Sequence, residues 1–432
     1  MQLSIDKDKW RVLLKRDFFL LTFGRVGSTL GSKVFTIALM WWMLEKNGAA
    51  SAGLVTALTL VGAIVLRPLG GVFVDRIDRR RSLVAADTFG AVFVGILAAA
   101  AVFGSLGYVH FIVAIVATSL TGAIIAPATR SLISEVLDDD ELTAGNSVIN
   151  SLGNVASLAG PGVAGALLAV LSYEVVFVLN ATSFGLAAVA ELFIGTTSSE
   201  SVTEDNDNGV LTDLREGFEY ISGDRRIRRM VVAAAAVNFF TTPLLLIGPA
   251  LIEQNGYSAF YAGVTQSLFA GGAVVAGVAL VIVAESDSVD VWETELFGGL
   301  AFVGSVFLLG AVAVSLRPAL LLPAVLGVVL LVSVGSGIAD IKSTSIVQAS
   351  VPDEQMGRTF SVLKTIGNVA MPVSIALSGF IVESGQAESI FLVLAAGVSL
   401  TILAVGHKQL YAFMTRKAVS SSGEIISREA AE

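Results

Sequence analysis

At 432 residues, 54% hydrophobic and only 15% charged, with a mean hydropathy of +0.80, the chain has more apolar side chains than a soluble domain can bury. It has no cysteine and only two histidines, His110 and His407, which excludes disulfides and thiolate chemistry and leaves little for metal catalysis. The net charge of −9 is set by acidic stretches such as Asp138 to Leu142, Glu204 to Asn208 and Glu285 to Glu295, and it argues against nucleic acid as a partner.

Residues 1–16 carry Lys7, Lys9, Arg11, Lys15 and Arg16 but no apolar core or small-residue cleavage site before Phe18, so the first apolar run reads as an anchor. A helix needs about 20 predominantly apolar residues to cross a bilayer. Runs of that length follow at about 20–44, 51–74, 82–106, 109–133, 144–171 and 174–195. They are continuous rather than alternating, which excludes a bacterial-type barrel. A polar, acidic stretch comes next, and then residues 211–230, where Leu211, Leu214, Phe218 and Ile221 recur near helical spacing and predict an amphipathic surface helix.

Six further runs lie at about 231–252, 258–284, 296–316, 319–341, 359–384 and 388–411. The reading is an all-α membrane protein of 12 transmembrane helices. It divides into a six-helix bundle over 1–195, a cytoplasmic linker over 196–229, a second six-helix bundle over 230–414 and a polar tail over 415–432, expected to be disordered. Lys and Arg in the short loops place both termini in the cytoplasm, because the opposite side then receives only Lys46 and Arg317.

Sliding the chain on itself by 214 positions aligns Ser131, Asp139, Ser147, Val148, Gly153, Asn154, Val155 and Ala156 with Ser345, Asp353, Ser361, Val362, Gly367, Asn368, Val369 and Ala370. A six-helix repeat with both ends on one side duplicates in parallel, related by a pseudo-two-fold axis along the membrane normal, and that is an arrangement of carriers with a midplane site.

Between the second and third runs lies a charged knot, Gly70 to Leu83. Its core, Gly71, Asp75, Arg76, Asp78, Arg79 and Arg80, has the form G-x-x-x-D-R-x-D-R-R. This resembles the loop motif of the major facilitator superfamily, with Asp78 where Gly is usual, a variant similar to its enterobactin and macrolide exporter branch. PDEQMGR (Pro352 to Arg358), LREGFEYI (Leu214 to Ile221), SFG (Ser183 to Gly185) and GPGVAG (Gly160 to Gly165) add to the resemblance. It implies a gating loop here. A carboxylate at Asp75 can dock on the positive N-terminus of the helix that follows Arg358, a contact worth about 0.3 to 2 kcal/mol and present in only one conformational state. The bland alternative for Arg79, Arg80 and Arg81 is that they set topology and bind anionic headgroups.

Ionisable groups at membrane depth are costly and point to function. Lys33 sits near the middle of the first span, where similar proteins often have a carboxylate, and suits an anionic solute group or a carboxylate partner. Arg25, Arg67 and Asp87 lie one to two turns inside the ends of the first three spans and predict one buried charge cluster, with Asp87 as counter-ion and proton candidate. Asn154, Asn238, Gln266 and Asn368, with Lys33, are the candidates for a substrate cavity, Asn238 and Gln266 giving polar contacts in a second half otherwise almost without charge in the membrane; for the four amides interhelical hydrogen bonding is the structural alternative. In the fifth span Gly160, Pro161, Gly162 and Gly165 resemble the end of the family's antiporter signature, although an upstream glycine of that pattern falls on Ala156; they predict close packing and a bend.

No P-loop, paired catalytic carboxylates, HExxH or nucleophile elbow is present, so neither an enzyme nor an ATP-driven pump is expected, and no cofactor or metal. The sequence therefore reads as a monomeric multi-pass secondary transporter of the plasma membrane, and the resemblance, which alone supplies the direction, implies a proton-coupled exporter of amphipathic, drug- or siderophore-like molecules. The alternatives are uptake or flipping of a lipid-like or anionic solute, and a non-transporting receptor or scaffold on the same fold.

Overall fold

Long apolar runs leave the backbone no water to bond with, so each run must satisfy its own amides, and helices do so. The computed structural model describes residues 7–74, 78–195, 218–283, 296, 299–310 and 320–406, and every regular element among them is helical. The acidic stretches at 204–208 and 285–295, Leu211, Leu214 and the tail from Thr415 lie outside the described residues.

After a 3-10 turn at Lys7–Leu14 come α1 (Arg16–Val74), α2 (Arg79–Val102), α3 (Tyr108–Val136), α4 (Leu142–Leu168) and α5 (Tyr173–Leu192). These are followed by α6 (Arg225–Thr241), α7 (Leu244–Gln254), α8 (Ala259–Val283), α9 (Gly299–Gly310), α10 (Leu321–Ser350), α11 (Asp353–Val369), α12 (Met371–Glu383) and α13 (Ala387–Thr401). Of the sequence-predicted surface helix, residues 218–223 are described and helical.

Nine helical stretches among the described residues are long and apolar enough to cross a membrane. The first, Arg16–Leu66, has 51 residues, or about 76 Å of helix, enough for two crossings, and it is broken at Gly48. Two shorter apolar helices, Gly299–Gly310 and Ser389–Ala404, bring the crossings to twelve. The seventh crossing joins α6 to α7 across Thr242 and Pro243, and the eleventh joins α11 to α12 just before Pro372.

Exposed Leu54, Leu58, Val61 and Val65 recur every three to four residues along α1, an apolar outer stripe that suits lipid and not water. Burial against a neighbouring helix gains no hydrophobic term over burial in lipid, so these helices rely on close van der Waals contact between small residues. A Cβ placed on Gly24 of α1 would lie 3.3 Å from Ala187 Cα of α5.

The chain divides into two compact units, Met1–Asp205 with Pro249–Ser267, and Asn206–Gly248 with Leu268–Glu432. In the first, α1 packs on α3, α4 and α5, while α2 packs on α3 and α5. Phe18, Leu21, Leu83, Leu132, Ile133 and Ile194 gather the corresponding helix ends into one apolar core. In the second, α6 packs on α10, α11 and α13, and Ile221 and Ile227 sit with Val347 and Val362 in a core of their own.

Gly48 carries φ 82 and ψ 174, a backbone region essentially reserved for glycine, and it lets the chain reverse between the first two crossings. Gly48→Ala is expected to cost about 1 to 3 kcal/mol, from strain at that one residue. Thermal unfolding of the detergent-purified variant checks this, and an unchanged melting temperature refutes it.

Candidate functional site

Three ionisable side chains meet inside the first unit: Arg25 of α1, Asp87 of α2 and Glu191 of α5. A single guanidinium nitrogen, Arg25 Nη2, donates to Asp87 Oδ2 and, at 2.5 Å, to Glu191 Oε1. Both carboxylates are 0% exposed. Arg25 Nε and Nη1, Asp87 Oδ1 and Glu191 Oε2 find no hydrogen-bond partner. One guanidinium thus stands between two buried carboxyl groups where an uncompensated charge costs several kcal/mol, and the cluster keeps unused donor and acceptor capacity.

The sequence-predicted cluster was Arg25, Arg67 and Asp87. The structure joins Arg25 to Asp87 and adds Glu191, while the Arg67 side chain lies outside the described ones, on backbone that continues α1. Glu191 stands one residue before the end of α5, where sequence reading discounts a charge as interfacial. Its helical spacing from buried Phe184, Ala187 and Ala188 is the signal that turns it inward.

Around the triad runs a belt of cations bound within the same unit. Asp78 caps α2, its carboxylate accepting from the Arg81 amide at 2.8 Å. Arg79 donates to Glu135 of α3 at 2.5 Å. Arg80 donates to the Glu191 carbonyl at 3.0 Å and to the Leu192 carbonyl, closing the negative end of α5. Lys15 reaches Asp138 at 2.7 Å and also Glu141. Gly71 is helical within α1, but Asp75 and Arg76, the proposed latch, lie outside the described residues.

The five cavity candidates divide between the units. Lys33, Asn154 and Gln266 belong to the first, Asn238 and Asn368 to the second. Lys33 is exposed, and its stem lies so close to Gly160 of α4 that a Cβ there would be 2.6 Å from Lys33 Cβ. Asn154 is exposed, and the Gln266 amide points at Met40 Sδ, 3.9 Å away. Asn238 donates to the Gly367 carbonyl at 3.1 Å, next to half-buried Asn368.

Asn238 also lines a cavity of about 200 Å³ within the second unit, beside Asp340, Ser336 and Ser343 of α10. Sequence reading missed Asp340 because it ended the tenth span at 341, whereas α10 continues to Ser350 and leaves the carboxylate about 15 Å inside its end.

Pro161 lies buried inside α4, flanked by the small residues that bring this helix against the start of α8. A Cβ on Gly162 would lie 3.1 Å from Ser267 Oγ, and one on Gly165 would lie 2.8 Å from the Ala259 carbonyl and 2.9 Å from that of Phe260. The two backbones touch, as glycines at such a crossing permit.

A family model described as Major Facilitator Superfamily matches residues 21–375. Macrolide efflux protein A of Streptococcus pyogenes is 22% identical over 388 residues, covering 85% of this chain and 90% of that one. The multidrug efflux pump Tap of Mycobacterium tuberculosis is 23% identical over 395 residues, covering 89% and 91%. Among solved structures, a bacterial homologue of the iron transporter ferroportin in its inward-facing state superposes with a TM-score of 0.70 at 14% identity, covering 91% of this chain and 99% of that one. The nucleoside transporter NupG superposes with a TM-score of 0.69 at 12% identity and the same coverage.

Two predictions follow from this geometry. Arg25→Met leaves two buried carboxylates without their cation and is expected to destabilise by roughly 3 to 5 kcal/mol. Adding Asp87→Asn and Glu191→Gln recovers most of that loss, measured by thermal unfolding in detergent. At the exposed end, the hydrogen bond from Lys15 holds the Asp138 carboxyl below its usual range, and those to Asp138 and Glu141 hold the Lys15 ammonium above its own. The depressed carboxylate stabilises above its ordinary value of about 4 and loses that contribution as pH falls through the lowered value; the raised ammonium stabilises below about 10.4 and loses it above. The protection factors of the Lys7–Leu14 amides, corrected for intrinsic exchange at each pH, are therefore expected to be highest between those limits and to fall below pH of about 4. A flat profile across that acid range contradicts the tie.

Proposed function

Because this chain belongs to the Major Facilitator Superfamily, we propose that its transport is the proton-coupled export of amphipathic organic solutes by alternating access. The observation that carries this reading is the Arg25–Asp87–Glu191 triad. With both carboxylates ionised the triad holds one net negative charge away from water, and one bound proton brings it to neutrality. A proton on either carboxylate also weakens one of the two contacts that tie α1 to α2 and α5. Proton uptake and helix packing are therefore coupled at the same atoms. We place the Asp75 and Arg76 turn in control of the change of state.

The energetics suit the task. A proton crossing one pH unit supplies about 1.4 kcal/mol, and each 100 mV about 2.3 kcal/mol more. Together these sustain a several-hundred-fold gradient of a neutral solute at one proton per molecule. Efflux is the direction named for two of the relatives, the macrolide and multidrug proteins, and the same direction is proposed here. The proposed setting is the plasma membrane, with both termini cytoplasmic and a monomer as the working unit. The rival reading, an anionic or lipid-like solute, draws on exposed Lys33.

Inverted membrane vesicles with an imposed inward-acid gradient test the proposal, using a panel of amphipathic fluorescent solutes. The wild-type chain is expected to accumulate at least one of them and to acidify the outer medium as it does so. Asp87→Asn and Glu191→Gln are each expected to slow gradient-driven accumulation ten-fold or more while leaving passive exchange of the same solute in place. If Asp87→Asn moves solute with unchanged proton dependence, the triad is not the coupling site. If no solute moves in any gradient, the transport reading falls.

A further inference from the structure

The cavity of the second unit has a wall of one chemical kind. Ser333, Ser336, Asp340 and Ser343 recur at intervals of three and four residues, so they share one face of α10. Opposite them stand Asn238, Thr241 and Thr242 at the end of α6, and Phe269, Ala273 and Leu245 supply apolar surface between.

Of the five hydroxyls that line the cavity, four have their proton committed elsewhere. Thr241 Oγ1 donates to the Val237 carbonyl at 2.7 Å, Thr242 Oγ1 to that of Asn238 at 2.5 Å, and Ser336 Oγ to that of Val332 at 2.7 Å. Ser333 Oγ donates to the carbonyls of Leu330 and Leu268, at 3.0 and 3.2 Å. The Asn238 amide nitrogen gives one of its two protons to the Gly367 carbonyl, and its oxygen stays an acceptor. What these side chains chiefly present to the cavity is therefore lone pairs. Asp340, exposed there, adds a carboxylate, which accepts about four hydrogen bonds and so has room for a ligand beside a contact within the protein. Ser343, 2% exposed on the same wall, has a hydroxyl with no hydrogen-bond partner.

An acceptor-rich wall around a carboxylate selects a donor that carries positive charge. Its apolar share disfavours a bare metal ion, which requires about six oxygen ligands, and suits an alkylated ammonium. At about 200 Å³ the space is below the roughly 300 to 1,000 Å³ of sites that enclose a whole drug-sized molecule, so it takes a head group and not the entire solute.

We propose that this cavity binds the protonated amine of the transported solute, with Asp340 as counter-ion and the oxygens of Asn238, Thr241 and Ser336 as further acceptors. The solute class is then amphipathic amines. This inference rests on the transporter reading above and adds the charge of the cargo to it.

The test is binding to the full chain in nanodiscs, read by the fluorescence of three dansyl sulfonamides of matched length. Their heads are 3-(dimethylamino)propyl, its uncharged isostere 4-methylpentyl, and 3-carboxypropyl. The amine probe is expected to bind at least ten-fold more tightly than the uncharged one. Asp340→Asn is expected to abolish that preference while holding the uncharged probe within two-fold, and Asp340→Glu to retain most of it. Ser336→Ala is expected to weaken the amine probe two- to five-fold, and thermal unfolding verifies that each variant is folded.

Equal binding of the amine and uncharged probes to the wild type overturns the proposal, as does preference for the carboxylate head or displacement of the amine probe by sodium. An amine preference that depends on Asp340, in a chain that moves none of the probes in vesicles, supports the subsite and sinks the transport reading. Transport of uncharged solutes without any amine preference does the reverse.

Discussion

One constraint orders the first unit: a guanidinium at membrane depth must be neutralised, and Arg25 is neutralised twice on one nitrogen. Two carboxylates can reach that nitrogen only if α2 and α5 present them at the depth of Arg25, and the packing brings α1 and α2 each onto α5. Small residues make the approach possible, with Ala187 of α5 against Gly24 of α1 and the Phe184 ring against Gly90 of α2. The cost of a buried charge and the closeness of the helices are thus one fact seen twice: loosen the packing and water reaches the triad, remove the cation and the carboxylates repel.

The belt at the ends of these helices obeys a softer version of the same rule. Arg79 and Arg80, which from sequence alone serve equally well as topology signals or headgroup ligands, bond Glu135 and the C-terminal carbonyls of α5. A basic cluster of this kind can serve the positive-inside rule and close helix ends with the same side chains. The described part of the knot therefore fastens the first unit to itself.

Run length made the helices legible, because a crossing must be long, continuous and apolar. The break at Gly48 falls inside the polar gap between the first two sequence-predicted runs, and α2 to α5 keep their expected places to within a few residues. Depth was legible for Arg25 and Asp87, both well inside their spans. Glu191 and Asp340 were not singled out, since both lie near the end of an apolar run, where a carboxylate is compatible with the interface. Hydropathy locates where a run stops, and neither which way a helix end turns nor how far the helix continues. In α5 the helix turns Glu191 inward; in α10 it runs on past Asp340 for ten residues. Chain partners across 62 and 166 positions are also invisible to any local pattern. The glycines of α4 were legible as close packing, but that their partner is the beginning of α8 is a matter of three-dimensional contact alone.

The sign of the solute's charge now bears on how a coupled carrier of this kind draws on the membrane. Exchange of one proton for a neutral molecule moves net charge, so both the pH difference and the membrane potential drive it. Exchange of one proton for an ammonium moves none, and only the pH difference remains, about 1.4 kcal/mol or ten-fold per unit. Lys33 and Asp340 argue for opposite cargo, yet they are not equivalent witnesses. The stem of Lys33 is engaged in the crossing of α1 with Gly160, which gives the residue a packing role whatever it binds. Asp340 stands on a cavity wall where most hydroxyl protons already bond backbone carbonyls, so its carboxylate and their lone pairs together favour a charged donor. On the proposal above, a cationic amine is then the cargo, and with proton coupling at Asp87 and Glu191 as proposed, the pH difference is the component of the gradient left to drive its export.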